Sequence, residues 1–207
     1  EGVPIFVGID FGLTPACVFA QRIRSRWVVI DELVAEDMGI VKFSELMKQI
    51  MSSYLPRPFY IFGDPAGDHR VQTDENTPFQ ILRGKGITAR PAPSNDVTLR
   101  LESVNATLTR MVDGESGILI DKNCINLIRG FAGGYHYRRL QVSGERYDER
   151  PNKNRFSHIH DALQYLLLGA GEGRSLTIGT KYSKPIIAKR NFDVFSGQAK
   201  NIYERRR

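Results

Sequence analysis

The chain has 207 residues, 41% apolar and 25% charged, with two cysteines and a formal net charge of +6. That balance supports a buried core, and no run approaches the ~18 consecutive apolar residues of a membrane span. Cys17 and Cys124 are too few for a disulfide framework or a cysteine-only metal site, so buried free thiols in a reducing compartment are expected.

Ile5-Phe-Val-Gly-Ile-Asp10 predicts a buried strand, and Ala16–Ile23 and Trp27–Leu33 two more, with Arg24-Ser25-Arg26 as the turn between them. Three strands on short links form an antiparallel meander. Phe43, Leu46, Met47, Ile50, Met51 and Tyr54 recur at helical spacing and stop at Pro56 and Pro58. Phe59–Phe62 predicts a short strand, Thr77–Lys85 a helix, and Ile87–Ala89 a strand. Val97, Leu101, Val104, Leu108 and Met111 make a second apolar helical stripe, capped by Asn95 or Asp96. Ile118–Ile120 predicts a strand, Cys124–Phe131 a helix ended by Gly133-Gly134, and Tyr135–Val142 hairpin strands. Ser157 is the expected cap of a last helix carrying Asp161, Ala162, Tyr165, Leu166 and Gly169. A meander followed by α/β crossovers implies a mixed sheet flanked by helices.

The division expected is a domain over 1–171 and a basic, flexible tail over 172–207. Residues 171–207 hold nine Lys and Arg against three acids, so the whole positive excess lies there. Such a tail can meet a polyanion. The N-terminus shows no basic stretch leading into an apolar one, and without an initiator Met it suggests a piece of a longer protein.

Asp10 ends the first strand before a glycine, Asp64 follows Phe59–Phe62 before a Pro-Ala-Gly turn, and Asp161 lies one turn into the last helix. Each stands where an apolar element meets a polar loop. Converging, they supply the hard oxygen donors that Mg²⁺ or Mn²⁺ requires. Residues 129–155 add Arg138, Arg139, Arg146, Arg150, Lys153 and Arg155 among Tyr135, Tyr137 and Tyr147, and Arg70 follows Asp64 closely. These cations can neutralise phosphates without reading base sequence.

Val7-Gly-Ile-Asp10-Phe-Gly, Gly63-Asp64-Pro65-Ala66-Gly67 and His158-Ile-His-Asp161-Ala162-Leu-Gln-Tyr165 resemble the motifs of the C-terminal nuclease domain of phage terminase large subunits, over residues ~3–170. The resemblance implies a ribonuclease H-like fold and a divalent-metal-dependent endonuclease that cuts concatemeric double-stranded viral DNA during packaging. It implies two Mg or Mn ions on Asp10, Asp64 and Asp161, with Asp68 and His160 as further candidates. Two such cations stabilise charge on the attacking and leaving oxygens of a phosphodiester. The implied partners are double-stranded DNA, an ATPase domain of the same full-length protein, the portal protein and the small terminase subunit. The implied location is the host cytoplasm, transiently at the procapsid portal, with no membrane. The tail would dock on the portal. Gly84-Lys85-Gly86 lacks the spacing of a phosphate-binding P-loop, so no ATP hydrolysis is expected of this chain. Three rivals remain: a Holliday-junction resolvase or other ribonuclease H-like nuclease; an actin-like ATPase, because Gly8-Ile-Asp10-Phe-Gly12-Leu-Thr14 resembles its phosphate loop; and a non-catalytic nucleic-acid-binding module.

Overall fold

The computed structural model describes residues 2–68, 76–140 and 146–173. Strands β1 (Ile5–Asp10), β2 (Ala16–Ile23) and β3 (Arg26–Val34) form the expected meander. Arg24 and Ser25, at φ 49° and 71°, make the two-residue link whose twist matches its strands. Helix α1 (Ile40–Ser52) leads to β4 (Phe59–Gly63), which lies parallel to β1. A 3₁₀ turn, Pro65–Asp68, follows. Helix α2 (Pro78–Gly84) opens on a reciprocal cap between Thr77 and Gln80 and leads to β5 (Ala89–Pro91), parallel to β4.

Helix α3 (Val97–Thr109) is capped by Asp96, whose carboxylate accepts the Leu99 N–H at 3.0 Å. The small hairpin β6 (Met111–Val112) and β7 (Glu115–Ser116) leads into β8 (Ile118–Ile120), parallel to β3. Helix α4 (Ile125–Arg129) runs into a π-helical turn at Gly130–Gly134. Strands β9 (Tyr137–Arg139) and β10 (Tyr147–Pro151) form a separate hairpin ahead of α5 (Ser157–Gly169). The main sheet has the order β5-β4-β1-β2-β3-β8. It is the mixed, helix-flanked sheet of the ribonuclease H-like fold.

The two faces of the sheet follow the period of two along β1. Ile5, Val7 and Ile9 join Cys17, Phe19, Ile61 and the α1 and α2 residues Phe43, Met47, Phe79 and Leu82. The other face of β2 and β3, through Val18, Ala20, Trp27 and Val29, meets Leu127 of α4 and Ile159, Leu163 and Leu166 of α5. Helix α5 is buried from Ile159 through Leu168, because sheet covers one side and α3 and α4 the other. It reaches β1 because Gly8 has no side chain: a Cβ there would stand 1.9 Å from the Ala162 carbonyl oxygen. Both cysteines are buried free thiols, and burial pushes Cys124 up to about 12.

Several local expectations shift. Ile87 is not in a strand; its N–H bonds the Leu82 carbonyl and closes the end of α2. Helix α3 stops at Thr109, and Met111 is 65% exposed in a hairpin turned by Asp113-Gly114, both at positive φ. The buried face of α3 is Arg100, Ser103, Val104 and Thr107, rotated from the apolar stripe, and Leu108 is exposed. Small and polar residues let α3 lie close on α5, where Ser103 Oγ, donating to the Arg100 carbonyl at 2.7 Å, comes within 3.5 Å of the Gln164 carbonyl. Ser157 does not cap α5; its Oγ donates to the Asn154 carbonyl, and Phe156 is the N-terminal boundary residue. Strand β9 pairs with 147–151, and part of the expected Tyr135–Val142 hairpin lies outside the described residues. Glu172 belongs to the packed body: it is 5% exposed and accepts from Trp27 Nε1 at 2.8 Å, beside Arg110. Residues 174–207 lie outside the described residues.

Candidate metal centre

The pairing of β1 with β4 puts Ile9 opposite Gly63, so Asp10 and Asp64 leave adjacent parallel strands at one level. Asp10 lies two residues beyond Gly8, and Asp64 two beyond Phe62, which pairs with Gly8. Both therefore continue the sheet face on which α5 rests, with Phe62 beside Gly169 and Gly8 beside Ala162. Asp161, adjacent to Ala162, comes to the same end of the sheet. Tyr165, one helical turn further, lies within the electrostatic reach of Asp10, Asp64 and Asp161 together. Its hydroxyl donates to Asn95 Oδ1 at 2.8 Å.

The three carboxylates have different surroundings. Asp10 is 6% exposed, and Asp10 Oδ2 meets His158 Nδ1 at 2.9 Å. Burial raises the Asp10 carboxyl above its ordinary value; the His158 bond opposes this and the charge of Asp161 adds to it. His158 shifts upward in turn, chiefly through its bond to Asp10. Asp64 is partly exposed, and its Oδ1 accepts the Ala66 N–H at 2.8 Å, fixing the turn after β4. Asp161 is buried between two cations: Arg100 Nη1 lies 3.2 Å from Oδ1, and Lys153 Nζ meets Oδ2. The Arg100 guanidinium rests 4.8 Å over the Tyr165 ring. A cavity of about 770 Å³ opens beside Asp161, lined by Asn95, Arg100, Tyr135, Arg150 and Lys153.

As the side chains stand, no group of three His, Cys, Asp or Glu among the described residues is gathered closely enough to hold a metal. The donor set still fits a hard divalent cation. It offers carboxylate oxygens on adjacent strand ends, and burial raises the Asp10 carboxyl despite its His158 bond, a cost to the ionised form that a bound cation would offset.

Asp68 is the last residue of the 3₁₀ turn after Asp64. His160 does not join the carboxylates. Two residues along a helix face nearly opposite ways, so His158 meets Asp10 and His160 turns to Phe131 and Tyr135, with ring centroids at 4.7 and 4.6 Å. Gly130 leaves room for it, and burial lowers it to about 4. Among the basic candidates, Arg150 lines the cavity, Lys153 holds Asp161 and Arg155 lies over the Phe156 ring. Arg138 pairs with Asp148 at 3.7 Å across the hairpin, and Arg139 and Arg146 are exposed. Arg70 lies outside the described residues. The sequence reading missed Arg100. Its signal was a charge four residues before Val104, on the side of the helix that Val104 buries.

The fold has counterparts among solved structures. The large terminase of a thermophilic bacteriophage, with bound ATP-γ-S, superposes with TM-score 0.63 and 19% identity, covering 81% of this chain and 40% of that one. The SPP1 phage large terminase nuclease domain with bound Mn gives 0.52 and 18%, covering 79% and 84%. The chain has the fold of a terminase nuclease domain. The magnesium-bound G20c phage terminase nuclease adds 0.51 and 13%, over 82% and 81%. This chain thus spans about two fifths of the ATP-γ-S-bound terminase and most of the two isolated nuclease domains. No protein-family model matches it, and no curated protein matches its sequence.

Proposed function

We propose that this chain is the nuclease domain of a phage terminase large subunit, a divalent-metal-dependent endonuclease cutting concatemeric double-stranded DNA during genome packaging. The observation that carries the reading is the joint placement of Asp10, Asp64 and Asp161 at one end of the sheet, in a fold shared with metal-bound terminase nucleases.

Asp10 and Asp64 would hold one Mg or Mn ion, and Asp161 would complete the site for two. Bound there, the metals would stabilise charge on the attacking and leaving oxygens of the phosphodiester. His158 orients the Asp10 carboxylate through Oδ2. The Asn95 side chain fixes the Tyr165 hydroxyl, and the Tyr165 ring supports Arg100. Arg100 in turn holds Asp161 Oδ1, keeping that carboxylate facing the cavity. Arg150 on the cavity wall and the exposed Arg138, Arg139, Arg146 and Arg155 would contact the DNA backbone, which gives affinity without base specificity. Arg70 would add a phosphate contact beyond Asp64, and Asp68 is a reserve metal ligand.

The remaining parts of the reading are a linked ATPase domain in the full-length protein, the portal protein and small terminase subunit as partners, and action in the host cytoplasm. Among the described residues no helix is long and apolar enough to cross a membrane. This chain would hydrolyse no ATP itself.

Incubation with supercoiled plasmid tests the reading. Nicking and linearisation are expected with Mn²⁺ or Mg²⁺ and none with EDTA. Robust cleavage in EDTA, or full activity of folded Asp10→Asn or Asp64→Asn protein, would overturn it.

A further inference from the structure

Asp161 has one fixed cation and one removable one. Arg100 is 7% exposed at its side chain, sits within α3, and is sandwiched between Asp161 and the Tyr165 ring. Lys153 is 71% exposed at its side chain, and the residues beside it are tied down independently: Asn152 N–H bonds the His136 carbonyl and Asn154 Nδ2 the Gly134 carbonyl, each at 2.8 Å. The lysine side chain can therefore swing away while the backbone around it stays in place. A divalent cation approaching Asp161 Oδ2 would meet the ammonium group at the same oxygen, and the two positive charges repel.

We propose that Lys153 is an exchangeable internal cation that occupies Asp161 Oδ2 in the metal-free protein and is displaced when a divalent metal binds, while Arg100 stays and positions the carboxylate through Oδ1. The inference rests on the reading of Asp161 as a metal-binding residue. Lys153 thereby raises the metal concentration at which the site fills and gives Oδ2 of a buried carboxylate a counter-charge beside the one Arg100 gives Oδ1. Once displaced, its ammonium faces the cavity that Arg150 also lines, where a backbone phosphate is a matching partner.

The test is Mn²⁺ binding by electron paramagnetic resonance on DNA-free protein, which needs no turnover. Lys153→Gln is expected to bind Mn²⁺ about five-fold more tightly than the parent, the size of a half-exposed ion pair. Arg150→Gln removes the same charge from the cavity wall without touching Asp161 and is expected to stay within about two-fold of the parent. Asp161→Asn is expected to weaken binding. Unchanged affinity in Lys153→Gln, or an equal gain in Arg150→Gln, would overturn the exchange while leaving Asp161 as a ligand. Unchanged affinity in Asp161→Asn would instead overturn the metal-binding role of Asp161 itself.

Discussion

Asp10 is a buried carboxylate whose partners do not fully offset its loss of water. Burial raises its carboxyl despite the His158 bond, so the ionised form costs folding free energy near neutral pH. Asp10→Asn keeps the volume and removes that cost. It should melt at or above the metal-free parent temperature while losing at least about a hundred-fold in plasmid cleavage. Mn²⁺ should raise the melting temperature of the parent and leave that of Asp10→Asn nearly unmoved, since only a ligand bound to the folded state stabilises it. Differential scanning fluorimetry with and without Mn²⁺ reads both effects.

Glu172 shows the opposite balance. Burial works to raise it, but its bonds from Arg110 and Trp27, with the charges of Arg110 and Arg22, bring it below the ordinary 4.5. A lowered carboxyl contributes stability that is present above its unfolded value and lost as pH falls through its folded value. Glu172→Gln should therefore be less stable at pH 7 by about 1–3 kcal/mol, the cost of impairing a buried polar partnership. The gap from the parent should narrow as pH falls below the ordinary 4.5 and through the lowered folded value. Urea denaturation across that range measures it.

At the scale of elements, the approach of α5 to β1 brings Asp161 to the strand carboxylates. Gly8→Ala would put a methyl group into the Ala162 carbonyl, and backbone must move to admit it. The expected cost is about 3 kcal/mol. The displaced helix should also lose cleavage at temperatures where the protein remains folded, which circular dichroism and a plasmid assay would separate. The β9–β10 hairpin makes a different contribution. It lies outside the main sheet, and its arginines are largely exposed. Replacing Arg146, Arg150 and Arg155 by Ala together should weaken duplex binding alike on all sequences. The slope of log K against log salt should fall by up to about 3, at roughly 0.9 per lost phosphate contact. An unchanged slope would show that these arginines do not contact phosphate.

For the whole molecule, the packed core extends past the end of α5 to Glu172. The turn through Gly171 and Glu172 returns the chain to Trp27 on β3 and Arg110 beyond α3, tying the end of the last helix to the far half of the sheet. A chain ending at Gly171 should unfold at lower urea than one ending at Gly173, because it lacks the Glu172 carboxylate and leaves Trp27 Nε1 and Arg110 without that partner. Equal midpoints for the two would show that these bonds add nothing to stability.

Local pattern determined much of this protein. The meander of Ile5–Asp10, Ala16–Ile23 and the strand through Trp27 was readable because turn chemistry and apolar runs act between near neighbours. The ends of the Ile5–Asp10 and Phe59–Phe62 runs also drew attention to Asp10 and Asp64. Tertiary structure decided which histidine meets the carboxylates: helical spacing puts His158 and His160 on opposite sides, and only the packing of α5 against Gly8 and Gly130 settles which side faces Asp10. It likewise decided the face of α3. The apolar stripe there pointed to Leu101 and Leu108, yet close helix packing buries Ser103 and Thr107 and sends Arg100 to Asp161, an ion pair 61 residues apart in the chain. Periodicity reports where apolar side chains recur along one element. A buried charge is placed by its partner, and that partner lies on another element.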